Sequence, residues 1–394
     1  MEHNTSHRFN DHNSRSLSSQ RSLASIPSLN SSFSNLLNPS QTSSYNCLTT
    51  LKGQSSSSYT SSLTLTGKFL YTGSSDREIR SFNRAQLDPQ QHSLVLAGKG
   101  AVKSIVFHSD KLFTAHQDHK IRVWKITDNN NEQKQSKQQK QTLLATLPTF
   151  NDRVSKMLIP KNHVQVRRHK KCTWVHHVDT VSAMAISKDG TLLYSVSWDR
   201  TIKIWRTRDF TCLESVSNAH DDAVNAVAVS DDGHVYTGSA DKRIKVWKKK
   251  EGEKKHSLLD TLEKHNSGIN ALALSSDGSV LYSGACDRSI LVSEKGENGE
   301  LVVVGALRGH TRSILCLAVV ENLICSGSED KTIRIWRGEG NEYCCLGVLE
   351  GHRGPVKSLS AVVDRCDSSE ASYLVYSGSL DCDIKVWQIF VPVL

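Results

Sequence analysis

A unit of fourteen residues constrains the fold of this chain more than any other feature of its sequence. The clearest copy is LLYSVSWDRTIKIW at 192–205, and seven copies in all lie between residues 69 and 387. Each copy places apolar and small residues on both sides of a tight polar turn, which is typical of two short antiparallel strands. Internal repetition takes precedence over chain length in counting domains. The sequence therefore predicts one large domain.

Four residue types keep fixed places in the repeat. A hydroxyl stands in the first strand, an Asp follows four residues later, a Trp stands six residues after the Asp, and a His precedes the unit. The full set occurs in four copies, as His177, Ser195, Asp199 and Trp205; His220, Thr237, Asp241 and Trp247; His310, Ser326, Asp330 and Trp336; and His352, Ser377, Asp381 and Trp387. The first copy has Phe82 and the fifth has Ser293 in place of Trp, and Gln54 and Gly98 take the His position in the first two copies.

Hydrogen bonding gives these four positions a common purpose. Strand alternation and the tight turn bring the hydroxyl, the Asp and the Trp side by side, and the His arrives from the preceding segment. The carboxylate can hold one imidazole nitrogen, the other nitrogen can face the hydroxyl, and the hydroxyl can accept from the indole N–H. An unpaired buried polar atom costs about 1 to 3 kcal/mol. We therefore expect a structural network that holds each repeat together.

This pattern resembles the WD-repeat (WD40) family, whose repeats pair a Gly-His with a later Trp-Asp and fold as blades of a β-propeller. The resemblance covers residues 45–394 and includes intact Gly-His pairs at 309–310 and 351–352. It implies an all-β fold, a seven-bladed β-propeller of four-stranded antiparallel blades. It also implies a non-catalytic scaffold for protein–protein interactions, with no cofactor, metal or small-molecule substrate expected.

The residue after the Trp departs from the family pattern, since Lys125, Arg206, Lys248, Arg337 and Gln388 replace the usual Asp. Together with a long insertion at 148–176, this departure looks like the plant WD-repeat proteins of the JINGUBANG type. That resemblance implies a regulatory role in a plant cell, with transcription regulators among the partners.

The two ends of the repeat region complement each other. CLTTLKGQ at 47–54 aligns with CLGVLEGH at 345–352, the strand that leads into a repeat, whereas only QIFVPVL follows Trp387. The seventh blade therefore lacks its outer strand. We expect residues 45–52 to supply that strand and so to close the blade.

Residues 1–44 are rich in Ser and Asn and have no sustained hydrophobic period, so they are predicted to be a disordered tail. Within the tail, RSLASIP at 21–27 resembles phosphoserine motifs read by 14-3-3 proteins, which makes Ser25 a candidate phosphosite; a plain flexible tail is the alternative. The low-complexity stretch 128–141 is predicted to be a polar loop at the tip of a hairpin.

The insertion at 148–176 carries most of the net charge of +9, because it holds seven Lys and Arg residues against the single Asp152. Apolar residues such as Phe150, Val154 and Met157 alternate with the basic ones, which predicts partial order. The basic cluster at 167–171 is consistent with a plain solvated loop, and the alternatives are binding of an acidic protein segment, or of nucleic acid or an anionic lipid.

Trp198 stands immediately before Asp199, where the shared network needs no aromatic residue. Packing beneath the insertion and contact with a partner are both consistent with this placement. Because His177 must reach Asp199, the insertion and Trp198 should share one face of the propeller, opposite the loops at 128–141 and 248–255. The residues predicted to bind a partner there are Trp198, Arg153, Arg167, Arg168, Lys170 and Lys171.

Catalytic and metal-binding alternatives are weaker. A Ser-His-Asp triad needs one exposed nucleophile, whereas this arrangement recurs in the repeats, so no enzyme is predicted. His163, His169, Cys172 and His176 match no standard zinc spacing, so no metal is expected. Trp205-Arg206-Thr207-Arg208 keeps part of the Trp-Asp-x-Arg motif of cullin-type ubiquitin ligase receptors, which remains an alternative function.

Ten Cys residues without a signal peptide argue for free thiols in a reducing compartment. The longest apolar runs are too short to cross a bilayer. We therefore expect no transmembrane segment and a cytoplasmic and/or nuclear location.

Overall fold

The computed structural model describes residues 23–30, 43–52, 58–86, 92–96, 98–128, 139–157, 163–167, 170–296, 299–340, 342–366 and 370–392. These residues form seven four-stranded antiparallel sheets. The innermost strands of successive sheets contact each other, and that of the last sheet contacts that of the first. This ring confirms the predicted seven-bladed β-propeller.

The first six blades take their strands in chain order from the centre outward. Blades 1 to 3 are β2 (Thr60–Thr66), β3 (Phe69–Ser74), β4 (Glu78–Asn83) and β5 (His92–Leu96); β6 (Val102–His108), β7 (Lys111–His116), β8 (Ile121–Asp128) and β9 (Gln139–Leu147); and β12 (Val181–Ile186), β13 (Leu192–Ser197), β14 (Ile202–Arg206) and β15 (Cys212–Val216). Blades 4 to 6 are β16 (Val224–Val229), β17 (Val235–Ser239), β18 (Ile244–Lys249) and β19 (His256–Leu262); β20 (Ile269–Leu274), β21 (Val280–Ala285), β22 (Ser289–Lys295) and β23 (Leu301–Arg308); and β24 (Ile314–Val320), β25 (Leu323–Ser328), β26 (Ile333–Glu339) and β27 (Glu342–Leu349).

Blade 7 combines strands from both ends of the repeat region. It consists of β28 (Val356–Cys366), β29 (Glu370–Ser379), β30 (Asp383–Pro392) and, outermost, β1 (Ser44–Lys52). β1 runs antiparallel to β30, with Ser44 opposite Phe390 and Lys52 opposite Asp383. Leu51 of β1 is fully buried in the core between blades 7 and 1. This pairing covers the edge that β30 would otherwise expose.

The turn between the second and third strands explains the repeated Asp. The residue after each of the seven Asp residues has a left-handed backbone, with φ between 67° and 74°, which is uncommon for a residue other than glycine. In blade 3, Oδ1 of Asp199 accepts a hydrogen bond from the backbone N–H of Thr201 at 2.9 Å. In blade 4, Asp241 accepts from Arg243 at 3.0 Å. The Asp side chain therefore closes the turn and supports its backbone conformation.

The hydrophobic core lies between neighbouring blades. The second strands are the most deeply buried, and every residue of β17 and β25 is buried. At the boundary of blades 3 and 4, Tyr194 and Val196 pack against Val224 and Trp247. Small and apolar residues run almost unbroken through these strands because both of their faces are covered.

The insertion contains α1 (Phe150–Met157) and a hairpin of β10 (His163–Arg167) and β11 (Lys170–Thr173). Asp152 of α1 is buried, and its carboxylate accepts the backbone N–H of Cys212 at 2.9 Å. Nζ of Lys203, a buried residue of β14, donates to the carbonyl oxygen of Trp174. These contacts attach the insertion to blade 3. No helix in the described part of the chain combines the length and apolarity that a membrane crossing requires.

Two predicted loop regions are described only in part. The ends of the polar stretch 128–141 belong to β8 and β9, and residues 129–138 lie outside the described residues. Residues 1–22 and 31–42 of the predicted disordered tail also lie outside the described residues. The structure differs from that prediction over residues 23–30, which begin with a 3-10 helix (Leu23–Ser25) and pack on blades 5 and 6. The physical reason is that Gly305 in blade 5 leaves room for the side chain of Leu29.

Candidate protein-interaction face

The repeat network is seen in full in blade 3. Nδ1 of His177 lies 3.1 Å from Oδ2 of Asp199, and Nε2 lies 2.8 Å from Oγ of Ser195. The indole N–H of Trp205 donates to the same hydroxyl at 2.9 Å. The corresponding contacts occur in blades 4, 6 and 7, through His220, Thr237, Asp241 and Trp247; His310, Ser326, Asp330 and Trp336; and His352, Ser377, Asp381 and Trp387.

The direction of these hydrogen bonds fixes the protonation of the network. Ser195 accepts from the indole and so uses its own proton to donate to Nε2 of His177, which leaves the imidazole proton on Nδ1, facing Asp199. Burial lowers the pKa of His177, which favours this neutral imidazole. Burial alone would raise the pKa of Asp199, but the hydrogen bonds that its carboxylate accepts from His177, Thr201 and the backbone N–H of Val178 hold that pKa well below its usual range.

The hydroxyl of the network is therefore committed to structure. Ser195 is fully buried, and its Oγ makes close contacts with both His177 and Trp205. A catalytic serine would need an exposed Oγ beside an oxyanion hole. The geometry gives this residue a stabilising role in the blade.

Blade 2 builds a related network from a different His, whose Nδ1 lies 3.1 Å from the carbonyl oxygen of Gly100, while the repeat residue Asp118 is paired with Arg122. His116 stands two residues after Thr114 in β7 and so lies on the same face of the strand. Its Nε2 is 2.8 Å from the hydroxyl of Thr114, which also accepts from Trp124 at 2.9 Å. Burial lowers the pKa of His116 to about 4. Strand alternation could have revealed this substitution, which the sequence analysis missed.

Blades 1 and 5 retain less of the network. Phe82 cannot donate to Thr72, and no hydrogen-bond partner for the buried Thr72 hydroxyl is found among the described residues. In blade 5, His265 contacts Asp287 and Ser283 at 2.8 and 2.9 Å. The hydroxyl of Ser293, which stands in the Trp position, is buried and likewise without a partner among the described residues.

Trp198 lies in the turn between β13 and β14 and is 42% exposed. Its backbone N–H donates to the carbonyl oxygen of Thr180 at 3.1 Å, which links the turn to the chain that leaves the insertion. Nζ of Lys103, in the innermost strand of blade 2, lies 5.8 Å from the centroid of the indole ring, within cation–π range. This turn therefore presents an accessible aromatic ring with a positive charge beside it.

The insertion forms an apolar groove of about 470 Å³. Its lining residues are Phe150, Arg153, Val154, Met157, Cys172, Thr173 and His176. Phe150 is 70% exposed and Met157 is 64% exposed, an unusual state for large apolar side chains. The guanidinium of Arg153 lies 5.9 Å from the centroid of the Phe150 ring. The groove thus combines accessible apolar surface with a positive charge.

The groove is linked to the turn that carries Trp198 through two consecutive residues, His176 and His177. His176 lines the groove, and the next residue, His177, contacts Asp199 in the turn that carries Trp198. Topology places the turn at 250–255, between β18 and β19, at the opposite end of the blades.

The other predicted partner-binding residues belong to the β10–β11 hairpin. Arg167 ends β10 opposite Lys170, which begins β11 beside Lys171. Arg168 lies outside the described residues, and so does His169, one of the four residues compared with zinc-ligand spacings. Nδ1 of His176, another member of that set, lies 2.9 Å from the hydroxyl of Thr173. Among the described residues, no three His, Cys, Asp or Glu side chains are grouped as metal ligands.

Comparison with known proteins settles the family. The model of the WD domain, G-beta repeat (WD40), matches residues 169–206, 210–248, 256–292, 301–337 and 343–388, together half of the chain. The chain belongs to the WD-repeat family. The plant subfamily stays a proposal.

Curated relatives of this WD-repeat protein carry varied names. It is 27% identical to transducin beta-like protein 3 of Rattus norvegicus, over 82% of this chain and 42% of that protein. It is 33% identical to pre-mRNA-splicing factor cwf17 of Schizosaccharomyces pombe, over 53% of this chain and 62% of the relative. It is 27% identical to apoptotic protease-activating factor 1 of Danio rerio, over 56% of this chain and 16% of the relative. The chain therefore spans less than two thirds of each of these relatives.

Proposed function

We propose that this WD-repeat protein is a non-catalytic scaffold that binds an acidic protein segment on the face formed by Trp198 and the insertion. The exposed apolar groove around Phe150 and Met157 carries the proposal, because such surface is retained on a folded protein mainly where something covers it. A large aromatic anchor with a charged rim is the usual composition of a protein-binding hot spot.

Charge favours an acidic partner. Arg153 borders the groove, Lys103 lies beside Trp198, and the hairpin residues Arg167 and Lys170 add to the basic character of the insertion. Opposite charge on a partner would speed association and exclude basic competitors. The partner's apolar side chains would fill the groove, and its carboxylates would meet the rim.

Capture of partners by the full chain and three variants tests this proposal. Trp198→Ala and Arg153→Glu should each reduce recovery of a shared acidic partner about tenfold, since they remove an anchor or reverse a rim charge. Replacing Lys248, Lys249 and Lys250 together by Glu is the matched control, because these residues lead into the opposite end of blade 4. Normal capture by the two face variants, with loss in the control, would place the interface on the other face.

Nucleic acid or an anionic lipid is the rival ligand, favoured by the same basic charge. Salt dependence separates the two readings, because neutralising several phosphates makes affinity fall steeply with rising salt. A protein interface built on Phe150, Met157 and Trp198 should weaken only modestly between low and moderate salt. The ubiquitin ligase alternative rests on Trp205 to Arg208, and Trp205 is already accounted for by its hydrogen bond to Ser195.

The cellular setting is proposed on sequence grounds. The insertion, and the basic or amide residue after each Trp, support a regulatory plant protein of the JINGUBANG type that acts with transcription regulators. A nuclear or cytoplasmic location is consistent with a relative named for pre-mRNA splicing. Ser25 remains a candidate phosphosite, and its exposed position supports that proposal.

A further inference from the structure

Residues 23–30, here called the strap, pack along the outer edge of blade 5. The N–H of Ala306 donates to the carbonyl oxygen of Pro27 at 2.9 Å, and the N–H of Leu29 donates back to the carbonyl oxygen of Ala306 at 3.0 Å. Ser28 is paired in parallel with Ala306. The strap therefore uses both outward backbone groups of Ala306, as an added edge strand does.

Side chains reinforce this pairing. Ile26 is buried in a cluster with Leu291 and Ala306, and Leu29 packs on the core between blades 5 and 6. The guanidinium of Arg308 donates to the carbonyl oxygens of Leu23 and Ile26, at 3.0 and 3.1 Å. The side-chain amide of Asn30 exchanges two hydrogen bonds with the backbone of Arg308. Each end of the strap is thus held by side-chain contacts as well as by backbone pairing.

Gly305 makes room for the strap. A β-carbon at this position would lie 2.3 Å from Cγ of Leu29, so only glycine admits the leucine. In blades 3 and 4 the same register position carries Glu214 or Asp260. Their carboxylates accept the N–H that begins the next blade's outer strand, at 3.0 Å for His256 and 2.9 Å for Leu301. Blade 5 replaces this acidic link by a notch.

We propose that the outer edge of blade 5, with its notch at Gly305, is a binding site for an extended peptide of the form Ile-Pro-x-Leu-Asn, and that the chain's own strap occupies it. The backbone of Ala306 provides the pairing, the notch selects a leucine, and Arg308 holds the carbonyl oxygens of the preceding turn. This site lies on the perimeter of the propeller and is independent of the face proposed above. A segment tethered in the same chain acts at an effective concentration of about millimolar, so modest intrinsic affinity is enough to keep it bound.

Hydrogen exchange of the Ala306 amide in the full-length protein tests the site, because that N–H donates to the strap. Leu29→Asp should speed its exchange about tenfold or more, since a carboxylate cannot occupy the apolar notch. Ser28→Asp is the matched control, because it adds the same charge at the neighbouring exposed residue and should leave the exchange unchanged. Gly305→Val blocks the notch from the other side and should have the same effect as Leu29→Asp. Melting temperatures establish that each variant is folded.

An acetylated peptide covering residues 23–30, added at about millimolar concentration, then distinguishes a binding site from a fixed part of the fold. It should restore protection of the Ala306 amide in Leu29→Asp and fail to do so in Gly305→Val. Unchanged exchange in both variants would show that the strap is not docked. Loss of protection that the peptide cannot restore in Leu29→Asp would show that the segment is not an exchangeable ligand. Either result overturns the proposal.

Discussion

Replacing Trp336 by Ala should reduce the free energy of unfolding by about 3 to 5 kcal/mol, the range expected for truncating a large buried aromatic residue. Trp336 is 1% exposed and packs with Tyr282, Ile314 and Ile324 between blades 5 and 6. Its indole N–H also donates to Ser326 at 2.9 Å. The loss therefore has a packing part and a hydrogen-bond part.

Trp336→Phe separates the two parts. Phe keeps a smaller aromatic ring in the core but has no N–H to donate to Ser326. The Ser326 hydroxyl still donates to His310, so the expected cost of the lost hydrogen bond is about 1 kcal/mol. Blade 1 already has this combination, with Phe82 at the Trp position and the hydroxyl of Thr72 at the position of Ser326. Trp198→Ala is the matched control for removing an indole, and it should cost less than about 0.5 kcal/mol because Trp198 is 42% exposed.

Equilibrium urea unfolding, followed by far-UV circular dichroism, measures these differences. A loss below about 1 kcal/mol for Trp336→Ala would show that the residue is not a core element. A loss for Trp336→Phe equal to that for Trp336→Ala would show that the hydrogen bond, rather than packing, dominates the contribution of the indole.

Three further outcomes are expected. The melting temperature should fall as the pH drops from 6.5 towards 4. Burial holds the pKa of His116 at about 4, below its ordinary 6.5, so the unfolded chain takes up the proton first. His116→Gln should reduce this pH dependence of the melting temperature, whereas the control variant His119→Asn, at an exposed position, should not. Removing residues 1–54 should lower the melting temperature far more than removing 1–42, because both truncations lose the strap but only the longer one loses β1. Equal melting of the two would contradict the closure of blade 7. Backbone amides of β3 and β21 should exchange hydrogen faster than those of β7, because blades 1 and 5 lack part of the network that His116 completes in blade 2. Equal exchange rates in β7 and β3 would argue against that role of His116.

The fold could be predicted because its signal is repeated and local. Each copy places a hydroxyl, an Asp and a Trp at fixed spacing, and those spacings translate directly into strand faces and a tight turn. The network distances around Ser195 follow from this regularity. The His of blade 2 did not fit the repeat pattern because His116 lies within the second strand, whereas blades 3 to 7 take their His from the preceding loop.

Features that depend on distant partners could not be predicted from local pattern. In the sequence, Asp152 is a single acidic residue in a basic insertion. Its carboxylate accepts a hydrogen bond from the backbone N–H of Cys212, which lies sixty residues further along the chain. The strap has too few apolar residues to predict structure, and it packs because Gly305 leaves a notch for Leu29. Both features are set by tertiary complementarity, which carries no periodic signal.

Site-specific photocrosslinking tests the proposed interaction face most directly. A photoreactive residue at position 157, where Met157 is 64% exposed in the groove, should crosslink to an acidic segment of a captured protein. The same residue at position 249, at the end of β18 on the opposite face, is the control. The account predicts a crosslinked acidic peptide at 157 and none at 249. Crosslinks confined to 249, or crosslinks from 157 only to nucleic acid or lipid, would contradict it.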